Sequence, residues 1–594
     1  MSRQGFWPLI GLTLLMALSF SRPAVAAPTV TPGAVIEAGR CEGLTGGRFT
    51  GLPGAATWVI KATYRPATAQ ARAACAVDAY VNPTINIGLL LPASDWNGKF
   101  VVRGCGGSCG SVWLDPACGK HLRDGYACLH TDMGHRSDQI DNNWVAGNLQ
   151  GLVDFGYRAT HVATVAGKAI VEAYYGTGPS KSYFFACSTG GRQAMIEAER
   201  FPTDFDGIVA VAPVNIGPFG VSNYVAPGEM NQDAQGRPLL TDLHVPMIYK
   251  AVMAQCDLKD GVADGLVDPR DCRFDPVSLV CKPGQTAGPR TCLTPEQADL
   301  VRRFYARGAF AGSELNWINN FTRQPGPPVE FAQSRGDPAV IETLNNAGNP
   351  DLRGFKAHGG KLILAHGTTD LIVLPGLTLD YYQMAERTMG GAETTRDFFR
   401  FFLIPGMDHC SGGDGAWGVN YLAALDRWAD KGQAPDRLVG VHPKPGVELD
   451  YFGVDADRLT PDQIAFSRPY YPYPLKAYYA GKGDPNSAAS FRPGLIPLGK
   501  IARLSPDDLP PADADALFKR LTTIATSTEN VYVAIGLPPK NVTDRIAKGL
   551  RRVVYQTRLS PQDISQTLVR MQAAGPTPIA RPALDSIQAE YPPT

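Results

Sequence analysis

Three residue types that together make an alcohol nucleophilic lie far apart in this 594-residue chain. Ser188 sits in KSYFFACSTGGRQAM at 181–195, Asp370 in KLILAHGTTDLIVLP, and His409 in IPGMDHCSGG. A serine hydroxyl needs a base held against it and donors for the oxyanion that forms when it attacks a carbonyl. The stretch around Ser188 reads as an apolar strand, a tight turn and a helix start. Such a junction pushes the hydroxyl out of a sheet and leaves backbone N–H groups free behind it. The usual elbow is G-x-S-x-G; here Ala186 replaces the first glycine, so the bare motif carries less weight than the standard one.

The neighbours of the serine and the histidine strengthen the pairing. Cys187 immediately precedes Ser188, and Cys410 immediately follows His409. A disulfide between them would hold their Cα atoms about 5.5 Å apart and force Ser188 and His409 into one small volume. The competing reading places the two cysteines in other bridges. Asp370, in a loop just past an apolar strand, is the expected partner of His409, giving the chain order serine, aspartate, histidine of α/β-hydrolases. Asp408 is the rival acid, but adjacent side chains usually point apart. His366 and His135 are rival bases without a cysteine link to the serine. For the oxyanion, one donor is expected from the N–H of Thr189. The other is expected from the glycine-rich loop VVRGCGGSCG at 101–110, with Gly106 as the choice within it. Cys105 and Cys109 suggest that this loop is stapled, to Cys118 or Cys128.

A second group of chemistry-bearing residues lies between Cys256 and Cys272, in DLKDGVADGLVDPRD. Asp257, Asp260, Asp264 and Asp268 alternate with glycines. Such carboxylates repel one another unless a cation binds, and calcium takes about six to eight hard oxygens. The spacing is not that of an EF-hand. A solvated acidic loop is the alternative.

These residues need a scaffold. Apolar strands are expected at Trp58–Tyr64, Ile85–Leu91, Phe100–Arg103, Tyr126–Thr131, before Ser188, and at Ile208–Ala212, with helical periodicity over Phe155–Tyr175. The alternation implies an α/β fold, a mainly parallel sheet with helices on both faces. It breaks at about Val214 and resumes near residue 356 with strands Lys361–His366 and Phe398–Ile404 and helices Leu377–Arg387 and Tyr421–Lys431. The Gly-, Pro-, Asn- and Asp-rich residues 214–355 then form an insertion between two strands, a natural lid over the nucleophile. Its arginines, Arg323, Arg335 and Arg353, are cations that could meet a substrate carboxylate. Residues 433–497 read as loop-rich, with the run RPYYPYP, and 498–594 as a helical extension of unassigned role.

The N-terminus has the pattern of a secretory leader: Arg3, an apolar run Phe6–Phe20, and Ala24-Val25-Ala26 as a cleavage site, expected after residue 26. Export, outside the cell or to the periplasm, fits 12 cysteines, none in the paired spacing of a zinc site. Lysine plus arginine number 56 and aspartate plus glutamate 56, so neither nucleic acid nor an anionic membrane is an expected partner. The 63 glycines and 49 prolines are spread along the chain, which implies many loops rather than disorder.

The C-S-T-G-G elbow at 187–191, H-G-x-x-D at 366–370, D-H-C at 408–410, GYACLHTDMGH at 125–135 and CDLKDGVADG at 256–265 resemble the tannase and feruloyl esterase family over roughly residues 40–495. The resemblance implies an α/β-hydrolase domain with a calcium-binding lid that holds the aromatic acyl group. It maps calcium ligands onto the side chains of Asp257, Asp260 and Asp264 and the carbonyls of Val262 and Leu266. It implies the disulfides Cys187–Cys410, Cys41–Cys75, Cys256–Cys272 and Cys281–Cys292. Two departures stand out. Tyr471 and Pro493 occupy positions where members bridge two cysteines, and Cys105 and Cys109 fall where small or aromatic residues are expected.

The sequence therefore points to a secreted serine carboxylic ester hydrolase acting on a small aromatic ester, or one borne on a polysaccharide or polyphenol, with structural Ca2+. Two alternatives are a thiol hydrolase using Cys187 and a calcium-dependent, non-catalytic binding protein on the same fold.

Overall fold

A computed structural model describes residues 32–592 apart from 215–229, 311–342, 496–513, most of 516–558 and isolated positions elsewhere. The leader, Arg323 and Arg335 lie outside the described residues. A ten-stranded sheet runs in the order β1-β2-β3-β4-β6-β5-β7-β8-β9-β10. β1 (Arg48–Phe49), β2 (Thr57–Arg65), β3 (Ala74–Val81) and β4 (Ile85–Pro92) form an antiparallel flank. β5 (Lys99–Arg103), β6 (Ala127–Thr131), β7 (Lys181–Cys187), β8 (Gly207–Val211), β9 (Lys361–Gly367) and β10 (Phe399–Ile404) are parallel. This is the α/β-hydrolase arrangement, with β7, the strand that leads to Ser188, in the interior of the parallel part.

Each central strand is buried on both sides, and its alternate residues feed two separate cores. Phe184, Ala186, Ile208, Ala210, Leu362 and Leu364 face one core. Tyr183, Phe185, Val209, Val211, Ile363 and Ala365 face the other. The first core is closed by α1 (Pro32–Glu42), α3 (Ala159–Tyr175), α4 (Thr189–Arg200) and α7 (Pro375–Thr388); the second by α2 (Leu114–Arg123) and α8 (Tyr421–Lys431). The near-continuous apolar strands thus come from coverage on both faces.

The insertion leaves the sheet after β8 and returns before β9. Among its described residues, α5 (Val245–Cys256) and α6 (Pro295–Ala306) build a small core of their own from Leu240, Ile248, Val252, Leu300 and Phe304. Leu374 and Leu377, just past Asp370, belong to that same core. Gly308 and Gly376 meet there: a Cβ on Gly376 would lie 2.5 Å from Gly308 Cα. The insertion is therefore packed against the loop that carries Asp370. Arg353 lies at its return, mostly exposed, and pairs with Asp351 at 2.5 Å.

Some elements differ from expectation. β3, ACAVDAYV, mixes alanines with one charge and shows little β-branching, yet it pairs with both β2 and β4. α2 lies in a stretch to which the sequence reading assigned no element, held to β6 by Cys118–Cys128. The region 433–497 contains two small antiparallel pairs, β11 (Leu438–Pro443) with β12 (Ile464–Tyr470) and β13 (Leu475–Tyr479) with β14 (Phe491–Leu495). Tyr471 is buried and Pro493 pairs with Ala477 in the second of these. In the extension, helices span Pro561–Ala573 and Arg581–Gln588; Leu568, Leu584 and Ile587 are buried and continuous with the first core.

Candidate active site

Ser188 occupies the junction between β7 and α4 with φ 62° and ψ −124°, left-handed backbone that a non-glycine residue rarely adopts. The strain is held by bonds on both sides. The Ser188 N–H donates to Val211 O at 3.0 Å, and Arg192 N–H donates to Ser188 O at 3.0 Å. The following glycines leave room for close approach. A Cβ on Gly190 would lie 2.5 Å from Ala186 Cβ and 2.9 Å from Cys105 O; one on Gly191 would lie 2.6 Å from Val211 O. Ala186 is tolerated in place of the usual glycine because position 190 has no side chain.

Cys187 and Cys410 are disulfide-bonded, with Cα atoms 5.8 Å apart across 223 residues of chain. A ring nitrogen of His409 lies within 4.8 Å of both sulfurs. The bridge thus places His409 beside the residue that precedes Ser188. No free cysteine is found among the described residues, so Cys187 has no thiol to act as a nucleophile, and the thiol alternative falls.

Asp370 is fully buried past the end of β9. Its Oδ2 accepts from His409 Nδ1 at 2.8 Å and faces His366 Nε2 at 3.1 Å. Its Oδ1 accepts the backbone N–H groups of Ile372 and Val373, both at 2.8 Å. Burial alone would raise its pKa. The charge of His409 and the hydrogen bonds from both histidines outweigh burial and hold Asp370 far below the usual carboxylate range. The network fixes the His409 tautomer with the proton on Nδ1, leaving Nε2 to accept. Asp408 is half-buried next to His409, but the ring bonds Asp370.

The two rival histidines have other tasks. His366 has no exposed surface; its Nδ1 meets Thr378 Oγ1 at 2.8 Å and its Nε2 faces Val373 O at 3.0 Å as well as Asp370. It is a second brace on Asp370, a role the sequence reading missed. His135 stacks on Trp144 with ring centroids 3.7 Å apart, and its Nε2 bonds Ser108 O at 2.7 Å. Burial lowers its pKa, and the neutral ring anchors the glycine-rich loop.

That loop lies directly on the elbow. A Cβ on Gly104 would lie 2.7 Å from Ala186 Cβ, and Thr189 Oγ1 donates to Gly107 O at 2.8 Å. Gly106 O accepts from Cys109 N–H at 3.0 Å. The staple differs from expectation: Cys105 bonds Cys109, and Cys118 bonds Cys128. The physical reason is local. Residues 105–109 form a tight turn that brings their Cα atoms to 5.4 Å, while Cys118 on α2 lies over β6. Gln193 Nε2, on α4, reaches Cys105 Sγ at 3.0 Å and ties this turn to the helix that follows Ser188.

The remaining disulfides are Cys41–Cys75, Cys256–Cys272 and Cys281–Cys292. The second closes the acidic loop. Asp257 Oδ1 accepts from Gly265 N–H at 2.9 Å, Asp260 Oδ1 from Val262 N–H at 3.0 Å, and Asp264 Oδ1 from Leu266 N–H at 3.0 Å. Burial pushes the Asp260 carboxyl up to about 6 against the Val262 N–H, and the Asp264 charge adds to it; burial also raises Asp257. Carboxylates desolvated and within one another's field are groups whose charge a hard cation would neutralise, and Asp257, Asp260 and Asp264 are the side chains that would hold it. Asp268 is engaged elsewhere, paired with Arg270 at 2.5 Å, and Arg468 Nη2 meets Asp264 Oδ2 at 2.6 Å.

Comparison with known proteins places the chain in a family. The family described as "Tannase and feruloyl esterase" matches residues 69–320 and 332–493. The mono(2-hydroxyethyl) terephthalate hydrolase of Piscinibacter sakaiensis is 32% identical over 569 residues, covering 76% of this chain and 91% of that protein. A probable feruloyl esterase of Arthroderma benhamiae is 31% identical, covering 69% of this chain and 83% of that protein. The crystal structure of feruloyl esterase B from Aspergillus oryzae superposes with a TM-score of 0.65 at 26% identity, over 77% of this chain and all of that one. The chain belongs to the tannase and feruloyl esterase family and is a carboxylic ester hydrolase.

Proposed function

We propose that the protein is an exported serine esterase that cleaves esters of aromatic acids through an acyl-enzyme on Ser188. The observation that carries this reading is the Asp370–His409 bond at 2.8 Å, on a histidine tethered through Cys410–Cys187 to the strained serine elbow. Ser188 Oγ attacks the ester carbonyl while His409 Nε2 takes its proton. Asp370 holds the ring's orientation and stabilises the imidazolium. The N–H groups of Thr189 and Gly106 receive the oxyanion. His409 then protonates the departing alkoxide, and a water molecule, deprotonated by the same ring, releases the acid.

The substrate class rests on relatives named for feruloyl esters and for a terephthalate monoester. The lid's Asp257, Asp260 and Asp264 side chains, with the Val262 and Leu266 carbonyls, would hold calcium, which supplies charge neutralisation to the loop. Export rests on the N-terminal leader pattern and on six disulfides. Among the described residues no helix is long and apolar enough to cross a membrane.

The test is a panel of feruloyl, galloyl, caffeoyl and terephthaloyl esters with wild type and Ser188→Ala, plus intact mass after a phosphonate ester. The expected result is turnover of at least one ester, one phosphonyl adduct on wild type and none on the variant. A variant that keeps full activity would overturn the scheme.

A further inference from the structure

Beneath the nucleophile's helix lies a second cluster that the reaction above does not use. Glu197 is in the last turn of α4, nine residues after Ser188 and about 13 Å along the helix, too far to meet the reacting atoms. Its side chain is completely buried, and the group that lies against its carboxylate is a second carboxyl, that of Asp204. Its polar neighbours are Asp204, in the loop leading to β8, and His161, on the first turn of α3. One ligand atom from each of the three lies within 4.8 Å of the others. His161 Nδ1 meets Asp204 Oδ2 at 2.6 Å.

Two carboxylates in one buried pocket cannot both stay ionised without a cation between them. Lys168 and Arg200 act on Glu197 through their charges, but their hydrogen bonds go elsewhere: the Lys168 ammonium to the main-chain carbonyl of Asp204 at 2.5 Å, and the Arg200 guanidinium to the main-chain carbonyls of Thr343, Leu344 and Asn346. Burial, then the Asp204 charge, pushes the Glu197 carboxyl well above its usual range. The C-terminus of α4 adds its carbonyl dipoles to the same spot, favouring positive charge there.

We propose that His161, Glu197 and Asp204 bind a divalent transition-metal ion, zinc by preference, at a site separate from the acidic loop of the lid. One imidazole and two carboxylates suit zinc rather than calcium, which takes oxygen ligands alone. Zinc–ligand bonds of about 2.0–2.2 Å place tetrahedral ligand atoms roughly 3.3 Å apart, so the three groups need only small shifts. The His161 ring is stacked on Phe201 with centroids 4.0 Å apart, which fixes its plane. Its side chain keeps 28% of its surface exposed, so an ion enters from that edge. Bound metal would pin α3, α4 and the β8 entry loop together and so hold the far end of the helix that begins at the nucleophile.

The experiment uses untagged, oxidised protein, stripped with a chelator, returned to excess calcium and titrated with ZnCl2 by calorimetry and thermal melting. The expected result is saturable binding of about one zinc per chain that raises the melting temperature in a dose-dependent way. Glu197→Gln and His161→Gln should each lose that binding and that shift. Zinc uptake unchanged in both variants overturns the proposal. So does an unresponsive wild type whose stability Glu197→Gln matches, the result expected if Glu197 simply shares a proton with Asp204. Where Glu197→Gln does not fold, His161→Gln alone decides the matter in the same way.

Discussion

Asp370 serves two histidines at once, and its two oxygens have different jobs. Oδ1 is saturated by the backbone N–H groups of Ile372 and Val373, and Oδ2 is shared by His409 and His366. Replacing it with Asn keeps the shape but offers His409 a donor where an acceptor is needed, which reverses the ring tautomer. Asp370→Asn should lower kcat by roughly 10³–10⁴-fold with little change in KM, read by steady-state kinetics on any ester that wild type turns over. The Asp370–His409 bond and the Cys187–Cys410 bridge beside Ser188 were legible in the sequence because cysteines flank the serine and the histidine and a strand-end loop carries the aspartate. His366 was not, because its bond to Asp370 depends on how the loop curls back, and no local spacing rule encodes that. The same holds for Glu197, whose isolation arises from a tertiary fit of α3, α4 and the β8 entry loop.

The elements succeed or fail at points of contact. The elbow and the glycine-rich loop approach so closely that position 190 admits no side chain: the Cβ of an alanine there would meet Ala186 Cβ at 2.5 Å and Cys105 O at 2.9 Å. Gly190→Ala should cost about 1–3 kcal/mol of stability by overpacking. It should cost roughly a hundredfold or more in kcat/KM, since about 1 Å of displacement at the oxyanion donors has that effect. Melting curves and kinetics measured together check both figures. The strand-turn-helix unit was readable from the apolar run ahead of Ser188 and the glycines behind it. β3 was not, because its residues are small and its strand character comes from partners on both sides. The stapled turn at Cys105–Cys109 was misread for a related reason: a bridge across four residues needs a turn that spacing alone does not reveal.

For the molecule as a whole, two solution responses follow from buried charge. Burial pushes His130 down to about 3, with the Arg103 charge adding to it, and lowers His121 well below its usual value. An unfolded chain takes up these protons near pH 6.5, whereas the folded chain refuses them until far lower. Unfolding is therefore favoured as pH falls through about 6.5, by about 2 kcal/mol at pH 5 for His130, with His121 acting in the same direction. Buried Glu197, with its raised pKa, works in the opposite direction, so a difference measurement is needed. His130→Asn should lose less melting temperature than wild type between pH 7 and pH 5. The second response concerns the acidic loop of the lid. Removing calcium should lower the melting temperature, calcium and not magnesium should restore it, and Asp260→Asn should blunt the effect. A chain indifferent to calcium would remove that ion from the proposed function. The Gly-, Pro-, Asn- and Asp-rich composition of residues 214–355 marked a departure from the alternation of strands and helices. The sequence did not reveal that the lid's core reaches into the loop beyond Asp370, through Leu374 and Leu377.

The bond between Cys187 and Cys410 closes a loop of 223 residues and also sets the position of His409. Oxidation state and competence are thereby one variable. In a chain whose Cys187–Cys410 bond is reduced, His409 has no covalent reason to stay beside the serine. Protein made in a reducing host should therefore show low esterase activity that rises on exposure to air or glutathione disulfide, read by turnover before and after oxidation.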